Sequence, residues 1–168
     1  MTRSAFVLGL ALLAAGCGPS PSADEKAAED AQAIAQVEAV QNVDPPVVAI
    51  LPEPIVFTDL EKSKLLGASC AFRAEGGNDV VAVAMADKAV IKTDGSLRVY
   101  AADKGSPSLP LGSWSHYDGR EHVIDLQMAG GEGTPSGDET TDWPGRLTIR
   151  DPYERVIYSA AGTVQCGA

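Results

Sequence analysis

Basic residues are scarce in this chain of 168: 13 Lys and Arg stand against 23 Asp and Glu, a formal net charge of −10. No cluster of Lys and Arg supplies the electrostatic footprint that a phosphate backbone requires, which excludes nucleic acid as a partner. A polybasic segment for an anionic lipid surface is missing as well. No apolar run reaches the roughly 20 residues of a permanent membrane helix. Histidine occurs only as His116 and His122. The sequence holds no GxSxG elbow, no SxxK, no HExxH and no phosphate-cradling glycine loop with its lysine. These absences remove the common hydrolase, metalloprotease and nucleotide chemistries. The expectation is a non-enzymatic protein without metal or cofactor.

What is present suits one ordinary domain. The apolar content of 45% permits a packed core. With 17 glycines and 11 prolines, turns and strands are favoured over a helical bundle.

Residues 1–16 read as a secretory signal. Arg3 gives the positive start, and Ala5 to Ala15 form an apolar run broken only by Gly9. The following Leu13-Ala14-Ala15-Gly16-Cys17 resembles the lipobox of bacterial lipoproteins, although the usual leucine three places before the cysteine is Ala14 here. The resemblance implies cleavage before Cys17, acylation of its thiol and a second acylation of the new N-terminus. Two or three acyl chains anchor stably where one is marginal. Residue 18 is glycine rather than aspartate, which by enterobacterial sorting rules implies the outer membrane. The expected address is the cell envelope, lipid-anchored and facing the periplasm.

Residues 17–54 read as a tether. A Pro/Ser-rich start gives way to Ala23–Val43, rich in Ala, Glu and Gln and free of Gly and Pro. Its apolar stripe, Ile34, Val37 and Val40, is too short for a sustained coiled coil. A solvated, loosely attached helix of about 30 Å is expected, acting as a spacer, with Asp44-Pro45-Pro46 as its end.

From Ile55 onward a globular β domain, 55–168, is expected. Thr58-Asp59-Leu60-Glu61 has the capping-box pattern and Gly67 a helix-stop position, which predicts a short helix over Asp59–Leu66. Alternation then predicts strands at Ser69–Arg73, Val80–Met85, Ala89–Thr93, Leu97–Ala101, Leu111–Tyr117, His122–Met128, Arg146–Arg150, Arg155–Ser159 and Thr163–Cys166. Short strands at such spacing indicate a small antiparallel β-barrel or sandwich of about eight or nine strands. Asp94-Gly95 and Asp118-Gly119 each lie between alternating runs as two-residue hairpin turns. In the second hairpin this register sets Tyr117 opposite Arg120, His116 opposite Glu121 and Ser115 opposite His122. The two histidines then point to opposite sheet faces and share no metal.

With Cys17 assigned to lipid, Cys70 and Cys166 remain, in the first and last strands. An oxidising compartment makes a disulfide the natural reading.

Few residues invite a binding role. The stretch 129–142 carries Glu132, Asp138, Glu139 and Asp142 among glycines; it reads as an acidic surface loop and as the candidate recognition surface. Trp114 and His116, on the face away from Ile124 and Leu126, are candidate surface contacts.

Cys70-Ala-Phe, the Asp-Gly hairpin, Arg150-Asp151-Pro152-Tyr153 and Gly162-x-x-x-Cys166-Gly resemble a small domain of alphaproteobacterial lipoproteins, over about residues 58–168. Those motifs are structural and imply a compartment rather than an activity. The expected partners are the membrane, through lipid, and an envelope protein or glycan. Membrane-bound lysozyme inhibitors are similarly small disulfide-bearing barrels, so inhibition of a wall-degrading enzyme is one alternative, and an enzyme with an unfamiliar site is the other. Their Ser-rich inhibitory loop has only Ser115-His116-Tyr117 as a counterpart.

Overall fold

The computed structural model describes residues 21–41 and 43–168. The signal sequence and Cys17 lie outside the described residues. The chain forms two units, divided between Asp44 and Pro45.

In the first unit, α1 spans Ala23–Gln41. Ser22 and Glu25 cap its start reciprocally: the Ser22 hydroxyl accepts the Glu25 N–H at 3.2 Å, and the Glu25 carboxylate accepts the Ser22 N–H at 2.8 Å. Every described residue of this helix is exposed, including Ile34, Val37 and Val40. Its stability therefore comes from intrinsic propensity and capping rather than burial.

The second unit, Pro45–Ala168, contains α2 (Phe57–Lys62) and nine strands. These are β1 (Ser69–Ala74), β2 (Val80–Ala84), β3 (Lys88–Thr93), β4 (Ser96–Ala102), β5 (His116–Asp118), β6 (Val123–Met128), β7 (Thr134–Pro135), β8 (Thr141–Arg150) and β9 (Val156–Gly167). Each of β1 to β5 pairs antiparallel with the next, β6 pairs with β8, β8 with β9, and β9 returns to β1. The result is a closed eight-stranded antiparallel barrel, with the two-residue β7 as an extra strand on β8. Closure removes the sheet ends that an open meander would leave unpaired.

Alternation places Cys70, Phe72, Ala82, Ala84, Ala89, Ile91, Tyr100, Tyr117, Ile124, Leu126, Leu147, Ile149 and Val164 in one buried core. A second layer explains why β2 and β3 are apolar on both faces. Val83 and Val90, paired across those strands, are covered on the outside by Ile55, Leu60 and Leu65.

α2 starts and stops earlier than the sequence predicts. The Asp59 carboxylate accepts the Val56 N–H at 3.1 Å and pairs with Lys92 of β3 at 2.8 Å, so capping happens at Val56 rather than Thr58. The helix ends where Lys64 takes φ +54°. Leu65 N–H then reaches back to Leu60 C=O at 2.8 Å and Lys64 N–H to Glu61 C=O at 3.3 Å. That is a Schellman closure, with Leu65 packed beside Leu60 on the barrel wall, and it forestalls the stop expected at Gly67.

The barrel unit begins at Pro45, so residues 45–54 belong with it rather than with a loose tether. The prolines keep this stretch extended, and its backbone groups find partners along the barrel. Arg155 donates to Pro45 C=O at 2.7 Å, Glu53 N–H to Lys92 C=O at 2.8 Å and Ile55 N–H to Val80 C=O at 2.7 Å. Pro52 is buried and Ile50 packs against the core.

Other strands also differ from expectation. The two runs at Arg155–Ser159 and Thr163–Cys166 form one continuous β9, because Gly162 lies within the ladder opposite Gly145 instead of turning the chain. Leu111–Tyr117 yields only His116–Asp118 as strand; Pro110–Gly112 forms a 3-10 turn in which Leu111 takes φ +58°.

Candidate functional site

Cys70 and Cys166 are joined as expected, in directly opposite ladder positions with Cα atoms 4.0 Å apart. Both are buried. The buried Ser113 hydroxyl lies 3.2 Å from the Cys70 sulfur and donates to Pro110 C=O at 2.7 Å, which packs the 3-10 turn onto the disulfide.

The second hairpin has a longer loop than Asp118-Gly119 alone. His116 stands opposite Asp125, Tyr117 opposite Ile124 and Asp118 opposite Val123, leaving 119–122 as a four-residue connection. Neither Asp118 nor Gly119 takes the positive φ of a two-residue type I′ turn, in contrast to Asp94 (+50°) and Gly95 (+69°). Because the displacement is even, the faces are preserved: Tyr117 still points inward and His116 outward. The His116–Glu121 pair is replaced by His116–Asp125.

This change creates a small polar cluster on the outer wall. His116 Nδ1 lies 2.7 Å from Asp125 Oδ1, and Nε2 lies 3.3 Å from Asp118 Oδ1. Arg150 Nε donates to the other Asp125 oxygen at 3.2 Å. Burial disfavours the imidazolium, but the hydrogen bond and charge of Asp125, with Asp118 behind them, outweigh it and raise the His116 pKa above its ordinary value. Both ring nitrogens face carboxylates, which favours the imidazolium over the neutral ring.

Trp114 is not the outward contact the alternation suggested. It precedes β5, in irregular chain that bridges Ser108, and alternation does not extend to it. The side chain is half-buried against the core, and its indole N–H donates to Ala86 C=O at 3.1 Å. Its backbone N–H donates to the hydroxyl of the fully buried Tyr117, which in turn donates to Met85 C=O, each at 2.8 Å.

The acidic stretch 129–142 does not gather its carboxylates. Glu132, Asp138 and Glu139 are exposed. Asp142 is taken up by Arg73 at 3.4 Å and by the Ser136 hydroxyl at 2.7 Å. No group of three or more His, Cys, Asp or Glu able to hold a metal occurs among the described residues. The glycines serve Trp143 instead. Its indole N–H donates to Gly131 C=O at 3.1 Å, and a Cβ on Gly133 (φ +74°) would fall 2.5 Å from the ring.

Depressions mark the barrel surface among the described residues. One, about 620 Å³, lies where Arg73, Asp142 and Thr163 meet. Another, about 390 Å³, runs between β4 and the loop 119–122 and is lined by Leu97, Arg98, Val99, Tyr100, Arg120 and His122 among others. It exists because the neighbouring strands are unequal. β4 has seven residues and β5 only three, and they pair only at Ala101–Asp118 and Ala102–Tyr117.

The direction of the unused backbone groups follows from the ladder. The tight turn at Asp94-Gly95 makes Thr93 and Ser96 a mutually hydrogen-bonded pair, so Ser96, Arg98 and Tyr100 direct their backbone toward β3. Ala102 N–H accordingly donates toward the start of β3, to Asp87 C=O, and Asp103 N–H donates the other way, to His116 C=O. Leu97 and Val99 therefore turn their N–H and C=O groups into the cleft. Tyr100 forms its base: burial pushes the phenol pKa up to about 12, and Gly119 sits against the ring.

Sequence reasoning did not single out Arg98, Arg120 or the β4 edge. The available signal was the length mismatch between strands, hidden because Leu111–Tyr117 read as a full strand. Comparison of the chain with protein-family models, curated proteins and solved structures gave no significant match.

Proposed function

We propose that this protein is an exported, lipid-anchored envelope protein whose disulfide-closed barrel is a non-enzymatic binding module. The observation that carries this reading is the buried Cys70–Cys166 bond joining the first and last barrel strands. Such a bond belongs to an oxidising compartment, and a signal sequence followed by Leu13-Ala14-Ala15-Gly16-Cys17 would deliver the chain there. The binding role is supported by the use of the polar side chains. His116, Asp125 and Asp142 are occupied in cross-strand pairing, whereas the β4 cleft presents polar groups that the barrel itself leaves unused.

Fractionation of expressing cells tests the anchoring. The wild-type protein should sediment with membranes and dissolve in detergent, and Cys17→Ser should appear in the soluble fraction. A Cys17→Ser protein that stays with the membranes would overturn the lipid assignment.

A further inference from the structure

We propose that residues 45–55 form a releasable strap, which covers one end of the barrel at rest and unzips from Pro45 when the chain before it is pulled. This goes beyond the binding-module reading. It holds for any attachment of the preceding segment and so does not depend on lipid at Cys17.

The strap is docked on the barrel without being woven into it. Its residues stand outside the nine strands, and its bridge to the sheet is the single pair Glu53–Lys92. Four of its eleven residues are prolines, which have no N–H to give to a ladder. Its backbone donates from Ile50 to Ile157 C=O at 3.4 Å, from Glu53 to Lys92 C=O at 2.8 Å and from Ile55 to Val80 C=O at 2.7 Å.

Tension meets these contacts in series. The first is Pro45, whose C=O accepts from Arg155 at 2.7 Å while Asp151 holds the guanidinium in place. Ile50 follows with the longest of the three backbone bonds. Glu53 is the lock, because its carboxylate accepts Gly95 N–H at 3.0 and 3.2 Å. Beyond Ile55 the chain enters α2, which the Asp59–Lys92 pair and the packing of Leu60 and Leu65 hold against the barrel wall. Release stops there.

What the strap covers is apolar. Ile50 packs on the core and lines the β4 cleft beside Leu97 and Tyr100, and Pro52 is buried. The strap also carries Val47, Val48 and Leu51, which are 53%, 71% and 79% exposed. A segment docked permanently on one face alternates apolar with polar residues. This one is apolar on both sides, as suits a segment that also leaves the surface.

The disulfide confines the effect. With Cys70 joined to Cys166, tension between Pro45 and the C-terminus passes along residues 45–70 and across the bond. Residues 71–165 carry none of that load along the chain, so the strap opens while the barrel stays closed.

The test stretches the oxidised protein in an optical trap between handles at position 44 and the C-terminus. A first step of about 35–40 Å or less, the extended length of the strap, should precede any further lengthening. Glu53→Ala should lower the force of that step and leave the next one unchanged. Without force, the amides of Glu53 and Ile55 should exchange at least about tenfold faster than those of Leu147 and Ile149 in β8, because the strap opens locally. A single event that releases residues 45–69 together would overturn the proposal. So would a Glu53→Ala protein that opens at the wild-type force, or strap amides as protected as those of β8. Fractionation of the Cys17 variant is independent of all these outcomes.

Discussion

Cys70 on β1 and Cys166 on β9 stand directly opposite each other in the ladder that closes the barrel, and their disulfide ties positions 96 residues apart. Joining the first strand to the last restricts the unfolded chain over nearly the whole barrel. In the chain-entropy picture a loop of this length contributes about 4–5 kcal/mol. Replacing both cysteines by alanine should lower the unfolding free energy by roughly 2–5 kcal/mol, measured by urea denaturation. A midpoint unchanged from the oxidised wild type would contradict the role given to the bond.

The His116 cluster predicts a pH dependence with a definite sign. The folded-state pKa is raised by Asp125 and Asp118, so the stabilisation is fully present below the ordinary histidine value of 6.5. It is lost as pH rises through the raised value. Urea unfolding should therefore show wild type losing stability relative to His116→Gln across the pH range just above 6.5. Parallel profiles for the two proteins would show that the imidazole does not carry charge between the strands.

Hydrogen exchange tests the open edge directly. The amides of Arg98 and Tyr100 point toward β3 and should be protected, whereas those of Leu97 and Val99 point into the cleft and should exchange far faster. Equal protection at all four positions would mean that β4 is paired on both sides.

Gly133 offers a packing test in the loop that sequence reasoning marked as a recognition surface. Gly133→Ala places a methyl group against the Trp143 indole and also strains a backbone at φ +74°. A loss of about 1–3 kcal/mol is expected, with a change in tryptophan fluorescence. A neutral effect would show that the loop is not held by Trp143.

Much of the barrel was legible because alternation and turn chemistry are local. Asp94-Gly95 is a two-residue turn, and Cys70 and Cys166 sit in terminal strands that must meet if the sheet closes. The misreadings came where tertiary contacts override local signals. The loop after Asp118 lengthens so that His116 meets Asp125 and Tyr117 meets Ile124, while Gly119 packs on Tyr100. Trp114 turns inward because its indole donates to Ala86, outside its own hairpin, and its backbone donates to the hydroxyl of the buried Tyr117. Residues 45–54 look like a tether in composition, yet Ile50 and Glu53 bond to β9 and β3. The β4 cleft follows from unequal strand lengths, a property of two elements together that neither segment carries alone.

The measurement closest to the central claim is the intact mass of the protein extracted from its own membranes by detergent. A lipid-anchored envelope protein predicts a chain that begins at Cys17 and carries the added mass of two or three acyl chains. A chain that keeps residues 1–16, or one that begins with an unmodified Cys17, would contradict it.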